Sequence, residues 1–191
     1  MLVNPVICKA KVKTSTKAEF SWKKVKGAQR YQIYFAPCGK TKAPVIKTTK
    51  KLSYIKKGLK KGVCYRFKVT AQRKIGGKWK TISTGYLAHF TSGNLNTTKK
   101  FTNPKSISVA KKSVTIKKGK TSTIKATIKL VKPNKLLLRE GHAPKFRYLS
   151  YNTDIATVDS KGKITAKKKG TCTVYVIGVN GISKGIKVTV K

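Results

Sequence analysis

The sequence predicts an all-β chain built as two β-sandwiches in tandem, and three observations carry that expectation. Apolar and polar residues alternate at period two in run after run, while helical periodicity is nowhere sustained. Lys-Gly, Gly-Gly and Asn-Gly turn signals separate the runs at short intervals, as in an antiparallel sandwich. The 191 residues, 39% of them hydrophobic, are enough for two separate cores.

Taken in chain order, Tyr31-Gln32-Ile33-Tyr34-Phe35 and Tyr65-Arg66-Phe67-Lys68-Val69-Thr70-Ala71 place an apolar side chain at every second position. Each reads as a strand with one buried face. The stretch Thr91-Ser92-Gly93-Asn94-Leu95-Asn96-Thr97-Thr98-Lys99-Lys100 is polar and does not alternate, so it marks a boundary. The expected division is a first domain over 1–93, a linker over 94–104 and a second domain over 105–191. The halves do not align as a repeat, so two different modules are expected, joined as an extended rod with limited hinging. The second half closes on Thr171-Cys172-Thr173-Val174-Tyr175-Val176 and Ile186-Lys187-Val188-Thr189-Val190, again alternating.

Charge is extreme. Forty-six Lys and Arg face four acids, Glu19, Glu140, Asp154 and Asp159, for a net charge of +42. The basic residues divide equally about Gly93, so the charge belongs to the whole surface and not to a tail. It favours anionic partners and opposes compaction by self-repulsion. Nucleic acid, teichoic-type wall polymers, acidic glycans and acidic protein surfaces all remain open as partners. No stretch reaches the roughly 18 apolar residues of a membrane span. The first residues lack the basic region of a signal peptide, so the chain reads as cytosolic or as a fragment of a longer precursor, and the fragment is favoured.

The first half resembles a fibronectin type III module of the kind found in Gram-positive surface proteins. The resemblance rests on Glu19-Phe20-Ser21-Trp22, Val25-Lys26-Gly27-Ala28, Tyr31-Gln32-Ile33-Tyr34, Leu59-Lys60-Lys61-Gly62-Val63-Cys64-Tyr65 and Val69-Thr70-Ala71. It makes Trp22 a core residue and Tyr65 the tyrosine corner, whose hydroxyl ties its strand to upstream backbone. The second half resembles a bacterial immunoglobulin-like domain of group 2. That likeness is carried by Val114-Thr115-Ile116-Lys117-Lys118-Gly119-Lys120-Thr121, Arg147-Tyr148-Leu149-Ser150-Tyr151-Asn152, Ile155-Ala156-Thr157-Val158-Asp159, Gly162-Lys163-Ile164-Thr165-Ala166 and Lys169-Gly170-Thr171-Cys172. Tyr148 stands where a tryptophan is common, and an insert from about Pro133 to Pro144 precedes it. The implied architecture is two tandem immunoglobulin-like β-sandwiches.

The resemblance also implies that Cys38 and Cys64 lie on neighbouring antiparallel strands. By parity both point outward, which makes them a candidate disulfide; the alternative is two thiols at the sheet surface. The other cysteines are a buried Cys172 and an unassigned Cys8, and no CxxC spacing is present. Asp154 and Asp159 do not converge, and His89 and His142 have no companion at ligand spacing. His89 is expected as an edge or outward residue. No catalytic group, metal site or cofactor is expected. Lys-rich pairs such as Lys23-Lys24 and Lys56-Lys57 scatter around turns, with no recognition helix and no stacking platform.

Leu136, Leu137, Leu138 and Arg139, inside the insert, are a candidate protein-binding loop; the alternative is an added strand packed on the sandwich. The resemblance implies a non-catalytic, extracellular module pair on the cell surface or secreted. Its expected role is adhesion to a host or cell-wall protein or glycan. The alternatives are a structural spacer or enzyme appendage, and charge-driven nonspecific nucleic-acid binding.

Overall fold

The computed structural model describes residues 4–93, 101–138 and 143–191, and every regular element among them is a strand. No helix among the described residues is long and apolar enough to cross a membrane. The first module runs β1 (Cys8–Thr14), β2 (Lys17–Trp22), β3 (Arg30–Pro37), β4 (Val45–Thr49), β5 (Ser53–Lys56), β6 (Cys64–Ile75), β7 (Lys78–Thr84) and β8 (Ala88–Thr91). One sheet has the order β1-β2-β5; the facing sheet has the order β4-β3-β6-β7, with β8 also paired to β6. All of these pairs are antiparallel.

Period-two alternation delivers Phe20 and Trp22 from β2, and Tyr65, Phe67 and Val69 from β6, into one core. Phe20 and Phe67 stack at 4.1 Å, and Phe90 meets Phe20 edge-on at 5.6 Å. The Tyr65 hydroxyl accepts the Lys60 N–H at 2.8 Å, anchoring the start of β6 to the segment before it.

The second module runs β9 (Phe101–Thr102), β10 (Pro104–Val109), β11 (Ser113–Ile116), β12 (Thr121–Thr123), β13 (Ala126–Leu130), β14 (Leu136–Leu137), β15 (Phe146–Ser150), β16 (Ala156–Val158), β17 (Lys163–Ala166), β18 (Gly170–Gly178) and β19 (Ser183–Val190). The largest sheet has the order β11-β19-β18-β15, with β11 parallel to β19 and the other pairs antiparallel. A β12-β17-β16 sheet, a β10-β13 pair and a β14-β9 pair complete the module. Its core is aliphatic, built on Ile116, Ile164, Val174 and Val188, with Cys172 buried among them.

Four expectations are corrected. The leucine segment is not a loop: β14 pairs with β9 in parallel, and the Leu138 N–H donates to the Thr102 carbonyl at 2.9 Å. Leu138 is 1% exposed while Leu136 is 59% exposed, so the segment is an added strand with one buried anchor. Arg139 and His142 lie outside the described residues. The expected linker is shorter than 94–104, because residues 101–102 and the start of β10 are already paired within the second module.

Cys38 and Cys64 are present as thiols and form no disulfide, although they are opposite one another, with the Cys38 N–H on the Cys64 carbonyl at 2.8 Å. Facing away from the core does not make a residue exposed at the strand start: Cys64 stands outside the core cluster yet is buried, with its sulfur 4.0 Å from the Tyr65 carbonyl oxygen, while Cys38 is half-buried. His89 is not outward either. It is fully buried, because its side of β8 is covered by the other module.

Candidate functional site

Strands β1 and β8 are edge strands of the first module's two sheets, and an edge strand presents backbone donors with no partner in its own sheet. Two of these donors are met across the seam. The turn between β18 and β19 accepts the Ala10 N–H on the Asn180 carbonyl at 2.9 Å and the His89 N–H on the Val179 carbonyl at 2.8 Å. One turn of the second module thereby bridges both sheets of the first.

The Asn180 amide strengthens this joint, donating to the Ala10 carbonyl at 3.3 Å and to the Pro104 carbonyl at 3.1 Å. Gly181 makes the approach possible. Its φ is +82°, and a Cβ there would lie 1.9 Å from the Cys8 carbonyl oxygen. At the base of the connection Asn103 acts as a surrogate backbone. Its Oδ1 accepts the Thr91 N–H at 2.9 Å and its Nδ2 donates to the Thr91 carbonyl at 2.8 Å.

Side chains flank this backbone joint on both sides. The Arg147 guanidinium donates to the Leu87 carbonyl at 3.3 Å and lies 5.9 Å from the Tyr86 ring. Burial holds its pKa below the ordinary arginine value. On the other flank the Lys23 ammonium donates to the Tyr175 hydroxyl at 2.8 Å and sits 4.5 Å from that ring's centroid. Tyr175 packs on Tyr151 at 4.7 Å, and the Tyr151 hydroxyl donates to the Pro5 carbonyl at 3.3 Å. Burial pushes the Tyr151 hydroxyl up to about 12 and the Cys8 thiol, at the same seam, up to about 12.

Beside the joint the two modules enclose a cleft of about 340 Å³, walled by Lys9, Ser21 and Lys23 on one side and Tyr175, Ser183 and Lys184 on the other. Among the described residues there is one ion pair, Lys13 with Glu19 at 2.9 Å. The Asp159 carboxylate caps its own turn, accepting the N–H groups of Lys161 and Lys163. No group of three or more metal-ligating side chains occurs among the described residues.

Residues 104–190 match the family model described as the bacterial Ig-like domain, group 2. The second module is a bacterial Ig-like domain of group 2. Ahead of this Ig-like domain, the β1-β2-β5 sheet facing the β4-β3-β6-β7 sheet has the arrangement of a fibronectin type III module. Among solved structures, the fn3 domain of human contactin 1 is similar at 19% identity, covering 44% of this chain and 71% of that one, with a TM-score of 0.38. The fn3 domain of the human collagen alpha-1(XX) chain is similar at 17% identity, over 47% of this chain and 84% of that one, TM-score 0.38. Domains 4 and 5 of the S-layer protein SbsC are similar at 20% identity, over 71% of this chain and 68% of that one, TM-score 0.38. No curated protein sequence matches the chain.

Of the residues singled out in the sequence, Cys38 and Cys64 are brought together, whereas Leu136 and Leu137 pair with Phe101 and Thr102, next to the seam residue Asn103. The seam residues Asn103, Asn180 and Gly181 were not singled out as functional. Asn180-Gly181 is a visible hairpin-turn signal, but nothing local to it says that its carbonyls serve another module.

Proposed function

We infer that the chain is a stiff, non-catalytic two-module segment of an extracellular or surface protein, acting as a spacer that holds its two ends at a fixed mutual orientation. One observation carries this reading: a turn of the Ig-like domain accepts one backbone N–H from each of two edge strands, one in each sheet of the fibronectin type III module. A hinge in its place would expose the Ala10 and His89 donors and the buried apolar surface around them. Domains of these two kinds are typically non-catalytic surface modules, which supports the extracellular placement and the expectation of no enzymatic activity.

A second reading, adhesion to an acidic host or wall component, is favoured by the +42 charge spread over both modules. The placement is tested by treating intact producing cells, or their medium, with a membrane-impermeant amine reagent. Extensive lysine modification without lysis supports the reading; modification that requires lysis contradicts it. Stiffness is tested by spin labels placed one on each module: the spacer requires one narrow distance distribution, and a broad one would refute it.

A further inference from the structure

We propose that the cleft between the two modules is a binding site for an anionic saccharide unit, a sugar ring carrying a carboxylate or a sulfate. This rests on the docked arrangement described above, because each module supplies only one wall. Lys9, Ser21 and Lys23 come from the outer face and end of the β1-β2 ladder, and Tyr175, Ser183 and Lys184 from the β18-β19 hairpin.

Three lysines therefore line a cleft of about 340 Å³, and none of the residues lining it is acidic. Glu19, on a neighbouring rung, is held by Lys13, and the Asp159 carboxylate is engaged in its own turn. A cleft of one sign between low-dielectric walls focuses potential on an entering anion.

Part of the site is already fixed in position. Lys23 is held by the Tyr175 hydroxyl and ring, and that ring lies against Gly185, where a Cβ would come within 3.0 Å of Cε1. Trp22 forms part of the wall, is 6% exposed, and carries a buried indole N–H with no acceptor among the described residues. The serine hydroxyls and the lysines suit a compact ring bearing hydroxyls and one acid group.

Nucleic acid fits less well. A single strand needs free aromatic faces for its bases, but Trp22 is buried in the core and Tyr175 is engaged by Lys23 and Tyr151. The volume is also that of one small ligand and not of a groove that tracks a phosphate backbone.

The test titrates the full chain with sialyllactose, a heparin-derived disaccharide and lactose at near-physiological salt, by calorimetry and tryptophan fluorescence. Four proteins are compared: the unaltered chain, Lys9→Ala/Lys184→Ala, Lys47→Ala/Lys129→Ala as an equal loss of charge elsewhere, and Gly181→Ala. The proposal expects at least one acidic sugar to bind and lactose not to. It expects a loss of about tenfold or more in the cleft double variant, against less than about twofold in the remote one. Gly181→Ala, with every lysine retained, is expected to lose binding as well.

Equal losses in the two double variants, or a random-sequence oligonucleotide that competes mole for mole, would overturn the site in favour of the general cationic coat. Absence of binding by either acidic sugar would also overturn it. If exchange of the Ala10 and His89 amides still reports docking in that case, the cleft inference falls while the spacer reading stands.

Discussion

Replacing Gly181 by alanine puts a methyl group where the Cys8 carbonyl oxygen lies 1.9 Å away, on backbone with φ +82°. Two costs are involved, and a second glycine separates them. Gly119 has almost the same φ, +79°, but nothing within 4 Å of the position its Cβ would take. Gly119→Ala therefore carries the left-handed strain alone, about 1 kcal/mol. Gly181→Ala carries the same strain and must also push the turn away from β1. That breaks the Ala10 to Asn180 and His89 to Val179 backbone bonds and loosens the two bonds of the Asn180 amide. At about 0.5–1.5 kcal/mol net for each bond, the additional loss is roughly 2–6 kcal/mol.

The assay is urea unfolding followed by two signals. Both tryptophans, Trp22 and Trp79, lie in the first module, so their fluorescence reports that module, while far-ultraviolet dichroism reports both. The unaltered chain and Gly119→Ala should show coincident transitions. Gly181→Ala should show separated transitions, with the fluorescence midpoint lowered. Coincident transitions and equal destabilisation in the two glycine variants would refute the reasoning.

Leu138→Ala should cost about 2–5 kcal/mol in chemical unfolding, because Leu138 is fully buried, whereas Leu136→Ala should stay within about 0.5 kcal/mol. Similar small effects at both positions would restore the loop reading of that segment. Tyr65→Phe removes the acceptor of the Lys60 N–H and should destabilise the first module by about 1–3 kcal/mol, read from the fluorescence transition. Above neutrality, Cys8 introduces a pH dependence. Its thiol keeps its proton in the folded state up to about 12 against an ordinary value of 9.0, so its contribution is full below 9.0 and is lost as pH rises towards 12. The slope is on the order of 1.4 kcal/mol per pH unit. Lysine deprotonation relieves repulsion over the same range, so the measured quantity is the difference between the chain and Cys8→Ala, which should narrow as pH rises.

Strand positions in both modules were legible because period-two alternation is a local signal. Ile33, Phe67 and Val174 each sit on the face that their parity assigned. The second module's group was legible for a similar reason, since its motif residues surround turns and pleats that repeat in order. What parity could not carry were positions whose burial is decided by a different part of the chain. His89 alternates like an edge residue and is buried because residue 179, ninety positions away, covers its strand. Cys64 lies at a strand mouth, where the alternation that holds within β6 no longer decides exposure. Leu136–Leu137 is too short a run to show any period, and its partner Phe101–Thr102 falls in a stretch whose polarity resembled a linker. The cleft has no sequence signature, because Lys9, Lys23 and Lys184 are ordinary surface lysines until docking brings them together.

Amide hydrogen exchange at Ala10 and His89 tests the docked seam most directly. Each N–H has its acceptor in the other module, the Asn180 and Val179 carbonyls respectively. A stiff, docked pair predicts that both amides are protected, and that protection at both falls together in Gly181→Ala while amides inside the β2-β5 ladder keep theirs. Exchange at Ala10 and His89 as fast as in an open edge strand of the unaltered chain would contradict the account.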